Sequence, residues 1–354
     1  MPTRFHGGYR GGLDVIDFSV NINPLAPPGF IMENVYKCFE SIKYYPDWEY
    51  DTLRKRLAEL YGIDPELIYP SNGASQGLFT VIHYIKPRTI IWIIPSYGDY
   101  ADFALATGIN LIEIPMTDQG REFYLDWVNV VKVVRNSLKP RVVVIVNPVN
   151  PTGTLFSDRD IDDFIAMLPG DTYLLLDEAY MDLSKGEFSS SYSGVDSVFT
   201  VKSLTKTLGL PGLRIGLVIG WKEGIEGLWK VTGSWQVNSI AECTLTRIIE
   251  SYRSELMGFL RKSKEYIRRE RRWLGRELSG IGFQVYPSEA NFFLVRHEWI
   301  DTFDLVQMML RCRIYLRRGD TFRGLGSKYT RIAVRQRSDN KELVRAFEQT
   351  SKLL

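Results

Sequence analysis

The chain has 354 residues, 45% of them hydrophobic, and its 44 basic residues nearly balance 42 acidic ones. That length exceeds what one core usually serves, so two lobes are expected, and the charge balance calls for neither a nucleic acid nor an anionic membrane as partner. Three scattered cysteines, in no zinc-like or disulfide spacing, point to a reducing cytoplasm, and apolar runs as short as "TIIWII" and "RVVVIV" cannot cross a bilayer.

The first fifty residues contain "HGGYRGG" and "NINPLAPPG", too rich in Gly, Pro and Asn for regular structure over much of their length. Residues 1–46 are read as an arm that contributes to a small lobe. Residues 47–250 form the large domain of this reading. There helix-like stretches alternate with "TIIWIIP" (89–95), "RVVVIVNP" (141–148), "TYLLLDEAY" (172–180), "SVFTVKS" (197–203) and "LRIGLVIG" (213–220). Continuous apolar strands between amphipathic segments predict an α/β fold, a mostly parallel sheet covered on both faces. Residues 239–279 read as a long helix or broken helix pair with Leu256, Leu260, Ile267, Leu274 and Leu278 as its buried stripe. Its basic run "RKSKEYIRRERRWLGRE" is read as a solvated face rather than a polyanion site, because three glutamates interrupt it. Residues 251–354 predict a smaller α+β lobe from "NFFLVRH" (291–297), "RIYLRRG" (313–319), "RIAVRQR" (331–337) and a last helix near 340–352.

Four apparent strand ends carry polar groups at the carboxyl edge, where a parallel α/β sheet places its ligand. "YPSNGASQG" (69–77) precedes a helical run, so Gly73, Ala74 and Ser75 are either a plain cap or free N–H groups for an anion. "NPVNPTG" (147–153) presents Asn147 and Asn150. "LLLDEAYMDL" (174–183) ends an apolar strand on Asp177 and Glu178, with Tyr180 after them, and buried carboxylates need a positive partner. "SLTKTLGLPGLRIG" (203–216) sets Lys206 among Ser203, Thr205 and Arg214, two hydroxyls and a guanidinium suited to a phosphate. Pyridoxal phosphate requires this set: an amine for a Schiff base, a carboxylate for the pyridine nitrogen and a cup for the phosphate.

In that order, "NPVNPTG", "LDEAYMDL" and "SLTKTLGLPGLRIG" resemble the fold type I pyridoxal-phosphate enzymes of the class I/II aminotransferase superfamily, over nearly the whole chain. The resemblance implies pyridoxal 5'-phosphate as cofactor, Lys206 as the Schiff-base lysine and Asp177 as partner of the pyridine nitrogen. It implies that Asn150 and Tyr180 bond the ring's phenolic oxygen, with Lys206, Asp177 and Tyr180 the catalytic group. Ser203, Thr205, Arg214, Gly73, Ala74 and Ser75 would hold the phosphate, and Tyr97 would lie on the ring face. Tyr45, in "YYPD", matches a tyrosine that reaches the phosphate of the neighbouring subunit, which implies a homodimer with shared sites.

Within the superfamily, "HGG", "DFSVNINPLAPP" and "RIAVR" look like the L-threonine-O-3-phosphate decarboxylases of cobalamin biosynthesis. The histidinol-phosphate aminotransferases share the core and the "RI" at Arg331. The implied substrate is a small phosphorylated amino acid or amine, met by His6, Asn21, Arg317, Arg331 and Arg335. The implied reaction is decarboxylation of L-threonine O-3-phosphate to (R)-1-amino-2-propanol O-2-phosphate, with transamination as the alternative, and no metal is expected. Arg331 and Arg335 are an even number of residues apart, so on one strand they would share a face.

Overall fold

The structure, a computed structural model, describes residues 6–9, 11–12 and 14–351. Seven strands form the main sheet: β1 (Ile68–Ser71), β2 (Thr89–Ile94), β3 (Asn110–Pro115), β4 (Arg141–Val146), β5 (Thr172–Asp177), β6 (Val198–Lys202) and β7 (Gly216–Ile219). Their spatial order is β1-β7-β6-β5-β4-β2-β3, and only β7 runs antiparallel to the other six. Alternate residues serve two separate cores. Ile91, Ile93, Val143, Ile145, Leu174 and Leu176 pack on one face, and Ile90, Trp92, Val142, Val144, Leu175 and Val201 on the other. A strand buried on both faces has no polar alternation, which is why these runs are continuously apolar.

The smaller sheet is antiparallel, in the order β8 (Gln284–Val285), β9 (Phe292–Arg296), β11 (Tyr329–Ala333), β10 (Arg317–Arg318). The helix Ser239–Gly280 joins the two regions and breaks at Tyr252, whose φ and ψ of −135° and 26° are not helical. Before the break Ala241, Leu245 and Ile248 pack with Leu53 and Leu57. After it Leu274 and Leu278 enter the core of the small sheet, together with Phe18 of the amino-terminal arm. The arm also pairs Ile16–Asp17 in parallel with Ile314–Tyr315.

Three expectations need correction. Cys38 and Cys243 form a disulfide, because the helix Ser239–Gly280 packs beside the segment around Phe39 and brings together residues 205 apart in sequence. Only Cys312 is free, so two of the three cysteines are paired rather than reduced. Glu270, read as a solvated interruption of the basic run, is instead buried and takes two hydrogen bonds from Arg337 at 2.6 and 3.0 Å. The strand read over 331–337 stops at Ala333, and a helix begins at Arg337. Among the described residues no helix is long and apolar enough to cross a membrane.

Candidate active site

The carboxyl ends of β4, β5 and β6 open on a cavity of about 760 Å³ that the arm and the small sheet close from the other side. Its wall includes Lys206, Asp177, Tyr180, Asn150, Ala74, Ser75, Tyr97, Ser203, Thr205 and Arg214 from the large domain. Asn21 and His6 of the arm and Arg317 and Arg331 of the small sheet complete it.

Asp177, the last residue of β5, is buried, and each carboxylate oxygen has one donor. The Tyr100 hydroxyl donates to Oδ2 at 2.9 Å and the Ala179 N–H to Oδ1 at 3.1 Å. Burial raises its pKa to about 6, the two donors hold it down, and the charges of Glu178 and Asp99 push it up. Its neighbour Glu178, the first residue beyond β5, does not line the cavity. It meets Lys202 at 2.7 Å, and Lys202 also contacts Asp182 at 3.2 Å, all three side chains being buried. The two carboxylates that end "LLLDE" therefore have separate partners. The two asparagines of "NPVNPTG" divide in the same way. Asn147 closes its own loop through two bonds to the Phe156 backbone, whereas Asn150 faces the cavity and accepts from Arg331 Nη1 at 2.8 Å.

Lys206 lies on the short helix Leu204–Thr207, half-buried, and no side chain among the described residues hydrogen-bonds its Nζ. Ser203 and Thr205 share a hydroxyl contact at 2.9 Å. Arg214 takes a left-handed φ of 52°, which brings its guanidinium back over Gly73. Gly73 has a φ of +75°, which favours glycine, and a Cβ there would stand 2.5 Å from Arg214 Nη2, so the guanidinium would have to move. Ser75, in the first turn of the helix Gly73–Ile85, reaches the Tyr97 hydroxyl at 3.2 Å, and Tyr97 donates to Asp99.

Arg331 on β11 is fully buried. Its Nη2 donates to the Ser19 carbonyl and its Nη1 to Asn150, both neutral acceptors. Burial, reinforced by the charge of Arg317, lowers its pKa to about 9 against the pull of the Tyr180 hydroxyl and Asp17. Arg317 is likewise lowered to about 10 by burial and packs its guanidinium 4.7 Å from the Phe322 ring centroid. His6 reaches the rim, 3.4 Å from Asp99, and the Asn21 amide donates to the Tyr180 hydroxyl at 3.4 Å.

Three residues assigned to the site from sequence do not line this cavity: Gly73, which lies against the Arg214 guanidinium, Arg335 and Tyr45. Arg335 follows the end of β11. There the Asn340 side chain bonds its backbone, and Asp339, one helical turn on, takes its guanidinium at 2.8 Å. The expected shared face with Arg331 does not exist, because residues 334–336 are not strand. Tyr45 is 81% exposed and lies against Trp235 at 4.7 Å, away from this chain's own cavity. Sequence reasoning in turn missed Tyr100, Asp99 and Ser19. The signal for the first two was there in "PSYGDY", where Tyr97 alone was noted.

The residues present fit pyridoxal phosphate on the structure's own terms. An amine without side-chain partners, a buried carboxylate, clustered hydroxyls and a guanidinium converge on one cavity. Two buried polar atoms on its wall, Asn21 Oδ1 and Arg331 Nε, lack a partner among the described residues, and buried polar groups without partners are costly unless a ligand supplies one.

Comparisons with known proteins agree. The chain is 28% identical over 338 residues to the adenosylcobalamin biosynthesis bifunctional protein CobDQ of Leptospira interrogans, covering 94% of this chain but only 38% of that protein's length. It is 26% identical to the threonine-phosphate decarboxylase of Salmonella typhimurium, over 94% of this chain and 90% of that one. Among solved structures, the histidinol-phosphate aminotransferase of Clostridium acetobutylicum superposes with a TM-score of 0.84 at 26% identity, over 95% of this chain and 99% of the other. The fold is also that of the Sinorhizobium meliloti histidinol-phosphate aminotransferase in complex with pyridoxal-5'-phosphate, with a TM-score of 0.83 at 20% identity over 94% of this chain and 90% of that one. Residues 13–347 match the family described as aminotransferase class I and II. With that match over nearly its whole length, the chain belongs to the aminotransferase class I and II family of enzymes.

Proposed function

We propose that this chain is a pyridoxal-phosphate enzyme that decarboxylates L-threonine O-3-phosphate to (R)-1-amino-2-propanol O-2-phosphate, working as a homodimer. The observation that carries the substrate class is the pair Arg317 and Arg331. Two buried guanidiniums, each with its pKa lowered by burial, face one cavity. Two guanidiniums on one wall form a surface suited to an anionic ligand. A substrate with both a carboxylate and a phosphate supplies two, and Arg binds either group in bidentate fashion. Support for the finer assignment comes from the arm. The "HGG" and "DFSVNINPLAPP" segments place His6, Ser19 and Asn21 on the same wall as Arg331.

The cofactor, when bound, supplies the electron sink that lets a bond at the substrate's Cα break heterolytically. The remaining work falls to the chain. Lys206 Nζ would hold the cofactor and would be the group placed to carry a proton to or from the substrate's Cα. The Asp177 carboxylate favours a protonated ring nitrogen, since an anion close by stabilises positive charge. Asn150 and Tyr180 would hydrogen-bond the cofactor's phenolic oxygen, Tyr97 would pack on its ring, and Ser75, Ser203, Thr205 and Arg214 with the Gly73–Ala74 backbone would hold its phosphate. In a decarboxylase, Arg317 and Arg331 turn the substrate so that the Cα–carboxylate bond is the one that breaks. In an aminotransferase they leave Cα–H in that position, which is the alternative reading supported by the histidinol-phosphate relatives. Incubation with L-threonine phosphate should release carbon dioxide without a keto-acid acceptor. Glutamate formed from histidinol phosphate and 2-oxoglutarate, with no carbon dioxide from L-threonine phosphate, would replace the decarboxylase with the aminotransferase.

A further inference from the structure

The geometry points to Tyr100 as a positioning residue that fixes the Asp177 carboxylate in the orientation and charge state needed beneath a pyridinium nitrogen. This inference rests on the cofactor assignment above. Tyr100 is fully buried in the helix Asp99–Thr107, and its only polar atom donates to Asp177 Oδ2 at 2.9 Å. The opposite oxygen takes the Ala179 N–H at 3.1 Å. With one donor on each oxygen, both side-chain torsions of Asp177 are set before any ligand arrives. A neutral donor bonded to a carboxylate favours its ionised form.

The surroundings make that bond necessary. Glu178, the next residue in the chain, and Asp99, on the helix that carries Tyr100, both raise the pKa of Asp177 after burial has done so. Glu178 is offset by Lys202 at 2.7 Å, and Asp99 accepts from Tyr97, but neither of those donors reaches Asp177. Tyr100 and one backbone N–H are what hold a buried carboxyl charged against two anionic neighbours. If Tyr100 only filled space, its hydroxyl would be dispensable, since Phe has the same shape.

The test is Tyr100→Phe in the full-length protein, read as cofactor affinity against pH from the quenching of tryptophan fluorescence, with Trp92 on the cavity wall. Losing one hydrogen bond to a charged group should move the acidic limb of the profile to higher pH by about 1–2 pH units. Affinity at pH 7 then falls by about 2- to 10-fold and recovers above pH 9. A cofactor analogue with C–H in place of the ring nitrogen should bind variant and wild type alike, because it has no charge for Asp177 to meet. Superimposable profiles for the two proteins, or an equal loss with the analogue, would overturn the assignment of Tyr100. Failure of the wild type itself to bind would overturn the cofactor reading beneath it. A circular-dichroism melt within a few degrees of wild type shows that the variant is folded.

Discussion

Substituting Gly73 by Ala tests whether Arg214 and the start of the helix Gly73–Ile85 form one phosphate cup. The added Cβ would sit 2.5 Å from Arg214 Nη2 and 3.1 Å from Cζ, where ordinary contact begins at 3.4 Å, so the guanidinium must retreat by roughly 1 Å. A side chain end can make that move at little cost to the fold, yet a misplacement of that size is enough to spoil a charge-assisted hydrogen bond. Losing one such bond removes about 1.5–3 kcal/mol, or about 10- to 150-fold in cofactor affinity. The left-handed φ of +75° adds a backbone penalty of about 1–2 kcal/mol for any residue with a Cβ, which lowers the stability of the cofactor-free protein. The two effects separate experimentally. Urea unfolding of the apoprotein reads the second, and fluorescence titration with pyridoxal phosphate reads the first. Gly212→Ala serves as control, because Gly212 lies beside Arg214 in sequence with nothing within 4 Å of its added Cβ and no left-handed φ. If Gly73→Ala loses stability as expected but binds cofactor within twofold of wild type, Arg214 does not hold the phosphate and the cup lies elsewhere.

Two further outcomes follow from the structure. Lys202→Met strands Glu178 and Asp182 in the core without a cation. It should cost about 3–5 kcal/mol in urea unfolding, largely recovered when both acids are also neutralised as Glu178→Gln and Asp182→Asn. A single-variant loss below about 1 kcal/mol would show that the buried triad is not balanced as described. Mixing inactive Lys206→Ala subunits with Tyr45→Phe subunits should regenerate activity, because one composite site in the mixed dimer keeps both groups. A fully active monomer by light scattering would remove Tyr45 from the site.

Much of the fold and most of the cavity wall could be read from the chain, and what escaped has identifiable causes. The five strands expected in the large sheet include its whole interior, where both faces are buried and the apolar signal is continuous. The two that were missed, Ile68–Ser71 and Asn110–Pro115, are its two edges. Pro70 is tolerated there because an edge strand leaves backbone N–H groups unpaired, and Asn110 and Glu113 are partly in solvent. Motifs that follow a strand end directly brought Asp177, Asn150, Lys206 and Arg214 together, since the carboxyl edge of a parallel sheet converges by construction. Arg335 failed because a period-two argument holds only while the strand lasts, and Asn340 caps the turn that ends it. The partners of Glu178, Asp177 and Cys38 come from segments between 24 and 205 residues away (202 − 178 = 24), and no local pattern encodes such pairings.

The central claim is that Lys206, on the turn after β6, carries the cofactor in the cavity it shares with Asp177. Borohydride reduction of the cofactor-loaded protein, followed by proteolysis and peptide mass analysis, tests it most directly. The account predicts a reduced pyridoxyl group on Lys206, with none on the protein when Lys206 is replaced by Ala. Stoichiometric labelling of Lys202 or any other lysine, with Lys206 unmodified, would contradict it.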